Sequence, residues 1–471
     1  MRAPLGAGIE STRLYHNRKP MQVDTADLTF HSPSPWAVKH GVVPKYPEDL
    51  ALAKSAGMRL IRYGIPWWKC ERKEGEIDFE PVRAQLLEIL RLGLDPIIDL
   101  NHHTCHPSWM TLGIADPRYV EASRQFALAL KKEFPWLKKF TPFNEPTATT
   151  FLSVHFGKWP PFWTVKGWDD PEKTKLEVQS KLFPVVEIVV KSILLIAEDL
   201  QRVDPEVEIW WVDTCEYHQA PHNPSFEWEL NERRFLFMDL VLGNGQNNGY
   251  LRKFGFGEDF IDWAVKHQLK GTVVWGLDYY SHSERKYYQR FSRAPSPNPI
   301  GMVQVAQQYW ERCGRKPIWI SEINIRGTIF ARLTWMKLMF LWVEDLERLG
   351  LDIRMVCLFP MIDSVTWAHY AMRWCRRRDP TGGLVHLSPD LRTREVSIMT
   401  EVVSAIGNRT MTPAEMPQYL FEPLLAKSIR GFWWLMAGRG WNDQAWQQQP
   451  NNGENGEDRR KKNQSIPIPD I

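Results

Sequence analysis

The sequence is poor in several features that would assign it to a class at once. No apolar run approaches the roughly 20 residues that cross a bilayer, which argues against an integral membrane protein. Neither sign of charge dominates: 59 Lys and Arg stand against 56 Asp and Glu, without the basic surplus of a dedicated nucleic-acid binder. Cysteines are few, six in 471 residues (Cys70, Cys105, Cys215, Cys313, Cys357 and Cys375), and none form a CxxC pair. That spacing disfavours a disulfide framework or zinc knuckle, and reduced thiols in a cytoplasmic enzyme are the expectation. Met1 to Ile9 hold no sustained apolar segment of the kind a secretory signal needs, consistent with a cytoplasmic location. No glycine-rich phosphate turn follows the first strand candidate, so a doubly wound dinucleotide fold gains no support.

What is present is a large apolar fraction, 43%, enough for a substantial core, and 23 tryptophans. Most of these belong in packing. A surplus of flat rings also suits a sugar cleft, because the C–H faces of a pyranose pack on them. Trp67, Trp68, Trp210 and Trp211 read as core. Along the chain, helix-period segments end at glycine and pass into short apolar runs. Val82, Leu86, Ile89 and Leu90 have helical spacing, Gly93 stops the helix, and Pro96-Ile97-Ile98 follows. The string Arg-Leu-Gly-Leu-Asp occurs at 91–95 and again at 348–352, each time between a helix and a strand candidate, where glycine supplies a left-handed cap. Strand candidates at 6–11, 58–63, 94–100, 139–143, 208–213, 272–276, 317–321 and 353–359 give about eight βα units. That is the number a (β/α)8 TIM barrel requires. The long stretch 147–172, rich in Trp, Phe, Pro and His, is expected to be a cleft wall or lid. The barrel is expected over residues 1–407, a C-terminal packing segment over 408–446 with a short helix between Pro413 and Trp441, and a disordered tail over 447–471.

In such a barrel, polar residues at the C-terminal ends of strands face the site. Those ends carry Arg62, His102 and His103, Asn144 and Glu145, Asp278 and Tyr280, Glu322, and Asp363. Two glutamates therefore fall at the ends of strands four and seven, across the mouth from each other. Two carboxyls flanking one bond are the requirement for glycoside hydrolysis. A lone strand-end Glu is more often a rim salt bridge, and Arg62 read alone is compatible with pairing to a structural carboxylate.

These residues stand in recognisable motifs. Thr141-Pro142-Phe143-Asn144-Glu145-Pro146 resembles the acid/base motif of glycoside hydrolase family 1, the β-glucosidase family. Pro317-Ile318-Trp319-Ile320-Ser321-Glu322-Ile323-Asn324 resembles its nucleophile motif. Arg62 to Trp67, Leu100-Asn101-His102-His103 with Pro107 and Trp109, Gly276-Leu277-Asp278-Tyr279-Tyr280, and Phe359 to Tyr370 are similar to its other strand signatures. The likeness runs in order over roughly residues 6–407. It implies a retaining mechanism in which Glu322 attacks the anomeric carbon and Glu145 serves as acid and then base. It further implies that Arg62 and Tyr280 orient Glu322, and that Asn144 binds the sugar 2-hydroxyl. His102 or His103 contacts another glycone hydroxyl, His103 being preferred on its spacing to Pro107 and Trp109. Trp367 forms part of the glycone platform. The ionised Glu322 is expected to keep Glu145 protonated.

The family's glycone clamp is rewritten. Gly8-Ile9-Glu10-Ser11-Thr12 lacks its usual Gln, Thr366 replaces a Glu, and Asp278 replaces an Asn. A small carbohydrate or glycoside is the expected partner, with no nucleic acid and no membrane. The glycone, aglycone and oligomeric state stay open. Two alternatives accompany this reading. One is a catalytically weak carbohydrate-binding protein on the same scaffold. The other is a glycosidase for a phosphorylated or uronic sugar, prompted by the basic run Arg373, Arg376, Arg377 and Arg378. His102, His103 and His106 raise the question of a metal. Adjacent strand residues point to opposite faces, so His102 and His103 are not expected to share one coordination sphere, and no metal or cofactor is expected.

Overall fold

The computed structural model describes residues 1–16, 18–26, 45–166, 171–288, 293–325, 329–363, 383–387 and 394–417. Eight parallel strands close into a barrel: β1 (Leu5–Ile9), β2 (Leu60–Gly64), β3 (Asp95–Asp99), β4 (Lys139–Thr141), β5 (Glu208–Thr214), β6 (Val273–Asp278), β7 (Ile318–Ile323) and β8 (Ile353–Leu358). Closure is made by β1, which pairs with β2 on one side and β8 on the other. Each strand is followed by a helix: α1 (Tyr46–Ser55), α2 (Glu80–Arg91), α3 (Tyr119–Glu133), α4 (Phe183–Val203), α5 (Glu258–His267), α6 (Met302–Arg312), α7 (Ile329–Arg348) and α8 (Ile398–Gly407). The eightfold βα alternation read from the sequence is therefore a TIM barrel.

The strands have two buried faces, and their residues divide between two cores. Leu60, Ile97, Trp210, Val212, Val274, Trp319, Met355 and Cys357 fill the barrel interior. The alternate residues join a much larger core between strands and helices, with Ile61, Ile98, Trp211 and Trp275 among them. Gly276 faces inward where a Cβ would meet the Trp211 carbonyl oxygen at 2.2 Å and Trp319 Nε1 at 2.5 Å. The space is taken by the Trp319 indole, whose N–H donates to that carbonyl at 2.8 Å.

α2 shows why the helices form where they do. Val82, Leu86 and Ile89 are buried at i, i+4 and i+7. Leu90, counted with that face from the sequence, is instead 47% exposed, because a helix of 3.6 residues per turn carries it past the core-facing stripe. Truncating a fully buried residue such as Leu86 to Ala is worth about 2–5 kcal/mol. Gly93 (φ 63°) and Gly350 (φ 91°) take the left-handed conformation after α2 and α7, as the repeated string requires.

The four core tryptophans are 1 to 7% exposed. Tyr279, a packing residue on the sequence pattern, is buried, stacks on Trp335, and donates its hydroxyl to Glu284 at 2.6 Å. The segment expected as a long loop after strand four starts as structure: Pro146–Thr150 is helical, Phe151–His155 continues as one π-helical turn, and only then does irregular chain follow. Pro at the first helical position and a buried Phe151, Leu152 and Val154 account for this. Five of the six cysteines are buried free thiols. Cys375, Thr366, Trp367, the arginine run 373–378 and the chain beyond 417 lie outside the described residues. Among the described residues no helix is long and apolar enough to cross a membrane.

Candidate active site

The site grows out of the barrel interior. Leu60 belongs to the inner core, so Arg62, two residues on, faces inward one layer higher; Ile97 and Asp99 repeat the pattern on β3, and Val274, Gly276 and Asp278 on β6. On β7 simple alternation would bring either Ser321 or Glu322 to the mouth. The pairing of β6 with β7 shifts register between Leu277 and Asp278, which sets Asp278 beside Glu322. Both residues then reach the mouth, a use of strand irregularity to re-aim a side chain. Ser321 donates its hydroxyl to Asp278 Oδ1, and Glu322 meets Arg62.

Glu322 is 3% exposed and held on both oxygens. Arg62 Nη1 donates to Oε1 at 2.6 Å, and the Tyr280 hydroxyl donates to Oε2. Its pKa stays above the usual carboxylate value, because burial outweighs the Arg62 charge and the Tyr280 bond that pull it down. Arg62 is no rim salt bridge. Its Nη2 donates to Asp99 Oδ2 at 2.8 Å and to Asn144 Oδ1, and its guanidinium lies 5.8 Å from the Trp319 ring centre. Burial alone would weaken its charge; Asp99 and Glu322 outweigh that and keep it firmly cationic.

Glu145 has a different setting. Its backbone is left-handed (φ 40°), an uncommon state for a non-glycine residue and one that recurs at functional sites. Its N–H donates to the Val212 carbonyl at 3.2 Å, tying it to β5, and Pro146 opens the helix behind it. The residue is 4% exposed, and its carboxylate approaches His103 Nε2 at 3.5 Å. Its pKa stands well above the carboxylate range. The causes are burial first, then Asp278, and only third Glu322. The acid state expected from Glu322 alone thus rests mainly on desolvation and on Asp278. Asp278 is itself pushed well up, by burial and then by Glu322.

The two histidines were expected to diverge, and they converge. β3 ends at Asp99, so His102 and His103 lie beyond the strand, and His103 is left-handed (φ 55°). Strand alternation does not apply there, and their rings meet edge-on with centres 4.7 Å apart. His102 Nδ1 contacts Asp99 Oδ2 at 2.7 Å; His103 Nδ1 contacts Thr149 Oγ1 at 2.7 Å. The Asn144 amide nitrogen lies 3.1 Å from His102 Nε2 and 3.3 Å from His103 Nε2. Burial, then nearby positive charge, depresses both imidazole pKa values well below the usual range, so both rings are neutral. Both Nε2 atoms thus point at the same Asn144 amide.

Glu145, Glu322, Arg62, His102, His103, Asn144, Asp278 and Tyr280 are thus brought together, while Trp367 lies outside the described residues. Three participants were missed. Asp99 bonds both Arg62 and His102, and its pKa is raised to about 6 by burial against the pull of Arg62. Its signal was a carboxylate directly after the apolar run Pro96-Ile97-Ile98. Glu10 is 4% exposed, with Oε1 3.8 Å from His102 Nε2, where the sequence showed only a missing Gln. Thr149 fixes His103 from the helix after Glu145, a contact between residues 46 apart that no local pattern signals.

Comparisons bear on this architecture. No protein-family model matches the chain, and no curated protein matches its sequence. Solved structures do. A β-glucosidase from Thermotoga maritima in complex with deoxynojirimycin superposes with a TM-score of 0.69 at 14% identity, over 87% of this chain and 98% of that one. The same enzyme in complex with glucoimidazole gives 0.68, at 14% identity and the same coverage. With cyclophellitol the values are 0.63 and 15%, over 77% of this chain and 86% of the other. The fold is that of a family 1 β-glucosidase.

Proposed function

We propose that the protein is a retaining β-glycosidase that hydrolyses a β-linked glycoside through a covalent glycosyl-enzyme intermediate. The observation that carries this reading is the pair of buried glutamates, Glu145 just past β4 and Glu322 on β7, in different electrostatic settings. Glu322, bonded to Arg62 and Tyr280, is the nucleophile, because a carboxylate fixed by two donors is ionised and aimed. Glu145, which no arginine among the described residues bonds and which is desolvated among carboxyls, is the proton donor to the leaving oxygen. After departure of the aglycone it removes a proton from the incoming water, whose oxygen attacks the anomeric carbon and releases Glu322.

Asn144 is the contact for the sugar 2-hydroxyl; its amide is already oriented by Arg62 and the two histidines. Arg62, at the described part of the mouth, is already paired with Asp99 and Glu322, which favours a neutral glycone over an anionic one. The substrate is a small glycoside of the cytoplasm, imported or made there. That the structurally similar β-glucosidase is seen in complex with deoxynojirimycin and with glucoimidazole supports a small carbohydrate ligand.

The test is hydrolysis of an aryl β-glycoside panel, with gluco, galacto, manno, uronic and 6-phospho members, by wild type and Glu322→Ala. Aryl release by wild type that disappears in the variant supports the assignment and names the glycone. Equal activity in both proteins removes Glu322 from the mechanism.

A further inference from the structure

We propose that Glu10, His102 and His103 form a binding site for a late first-row divalent metal ion of the zinc class on the floor of the barrel mouth. The glycosidase reading does not use this trio as a unit, and the proposal does not depend on that reading. Among the described residues these three donors stand together: one carboxylate oxygen and one ring nitrogen from each histidine, all within 4.8 Å of one another and all buried. Two imidazoles and a carboxylate are a donor set that suits zinc, cobalt and nickel rather than magnesium or calcium.

The hydrogen bonds behind the rings decide which nitrogens can ligate. His102 Nδ1 faces the Asp99 carboxylate, which can only accept, so the proton sits on Nδ1 and the lone pair on Nε2. Thr149 Oγ1 donates its one proton to the Asn144 carbonyl at 3.2 Å, so it accepts from His103 Nδ1, and again the lone pair is on Nε2. A carboxylate behind a ligating histidine is the usual outer support of a metal site. The Glu10 Oε1 to His102 Nε2 distance of 3.8 Å is close to the separation of about 3.4 Å between donors around a tetrahedral ion. Arg62 is the nearby opposing charge, and it is neutralised by Asp99 and Glu322.

The Asn144 amide group occupies the convergence point of the two ring lone pairs. An ion there takes the place of that amide, so Asn144 and metal are competitors. Asn144 also bonds Arg62, and metal binding therefore loosens the arm of Arg62 opposite Glu322. Under the glycosidase reading, an ion that displaces Asn144 would therefore inhibit.

The experiment is titration of the chelator-treated full-length protein with Co2+, read by visible absorption, and retention of Zn2+ after desalting, read by elemental analysis. The expected result is one ion per chain with a low-symmetry Co2+ spectrum. Glu10→Gln and His103→Ala should each weaken binding at least about tenfold, a loss on the scale of a single ligand. Asn144→Ala should tighten it, an outcome that a merely structural trio would not give. Near-ultraviolet circular dichroism of Glu10→Gln, the isosteric variant, checks the fold. Absence of a Co2+ spectrum in wild type, or a spectrum unchanged by both ligand variants, overturns the proposal.

Discussion

The two halves of the barrel mouth hold the same residue type and give it different chemistry. On the β2–β7 side, Glu322 is bonded by an arginine and a tyrosine. On the β4–β5 side, Glu145 has a neutral histidine at 3.5 Å and the carboxyl groups of Asp278, Glu322 and Asp213 around it. Both are buried to the same degree, so exposure does not separate them. Neighbours do. Desolvation raises both pKa values; on one side two donors oppose the rise, and on the other like charges add to it. Asp213 continues the same trend, lifted to about 7 chiefly by burial despite bonds from Thr147.

The largest expected effect separates the two glutamates by leaving group. Glu322→Ala should lower kcat by roughly 10^4-fold or more on every aryl glycoside, because no nucleophile replaces it. Glu145→Ala should lose about 10^2- to 10^4-fold on poor leaving groups, and little in the first step on a dinitrophenyl glycoside that needs no acid. Equal losses on both leaving groups would dissolve the distinction between the two sides.

Next, Arg62→Met should cost about 3–5 kcal/mol of stability, because Asp99 and Glu322 stay buried without their cation. Chemical denaturation measures it; a loss under 1 kcal/mol would mean that Arg62 is not the support described.

Tyr280→Phe removes one bond to the Glu322 carboxylate and should cost about 1.5–3 kcal/mol in transition-state stabilisation. Glu322 must be ionised to attack, and losing a donor raises its pKa. The acidic limb of kcat/KM should therefore move to higher pH; an unmoved limb would show that Tyr280 does not tune Glu322.

The smallest effect is on stability against pH. His106 and His218, depressed to about 4 by burial, are neutral in the fold but titrate near 6.5 when unfolded, so their contribution is present above 6.5 and lost as pH falls. Asp99 and Asp213, raised to about 6 and about 7, keep a proton that the unfolded chain has already released, so their contribution is lost as pH rises through those values. Thermal unfolding should show a maximum between about pH 6 and 7. A midpoint that climbs steadily from pH 5 to 9 would contradict these assignments.

Much of this was legible in the sequence because barrel strands carry their chemistry at fixed ends. Glycine after α2 and α7, apolar strands, and Glu145 and Glu322 in their motifs sufficed for the fold and the carboxyl pair. What escaped depended on departures from regular geometry. His102 and His103 converge because they lie past the end of β3 and one of them is left-handed. Ser321 and Glu322 both reach the mouth because the ladder slips by one residue. Glu10 and Thr149 meet the histidines across 92 and 46 residues of chain, from Glu10 to His102 and from His103 to Thr149, and no spacing rule spans such gaps.

The most direct measurement of the division of labour is trapping of the covalent intermediate. Incubation with 2-deoxy-2-fluoro-β-glycosyl fluorides of the glycone series, followed by peptide mass spectrometry, should place one fluorosugar on the peptide containing Glu322. In Glu145→Ala the label should still form and persist, because loss of the base slows its hydrolysis. Label on Glu145 would invert the roles, and label on neither glutamate, with a reagent whose aryl glycoside is hydrolysed, would contradict a retaining mechanism through Glu322.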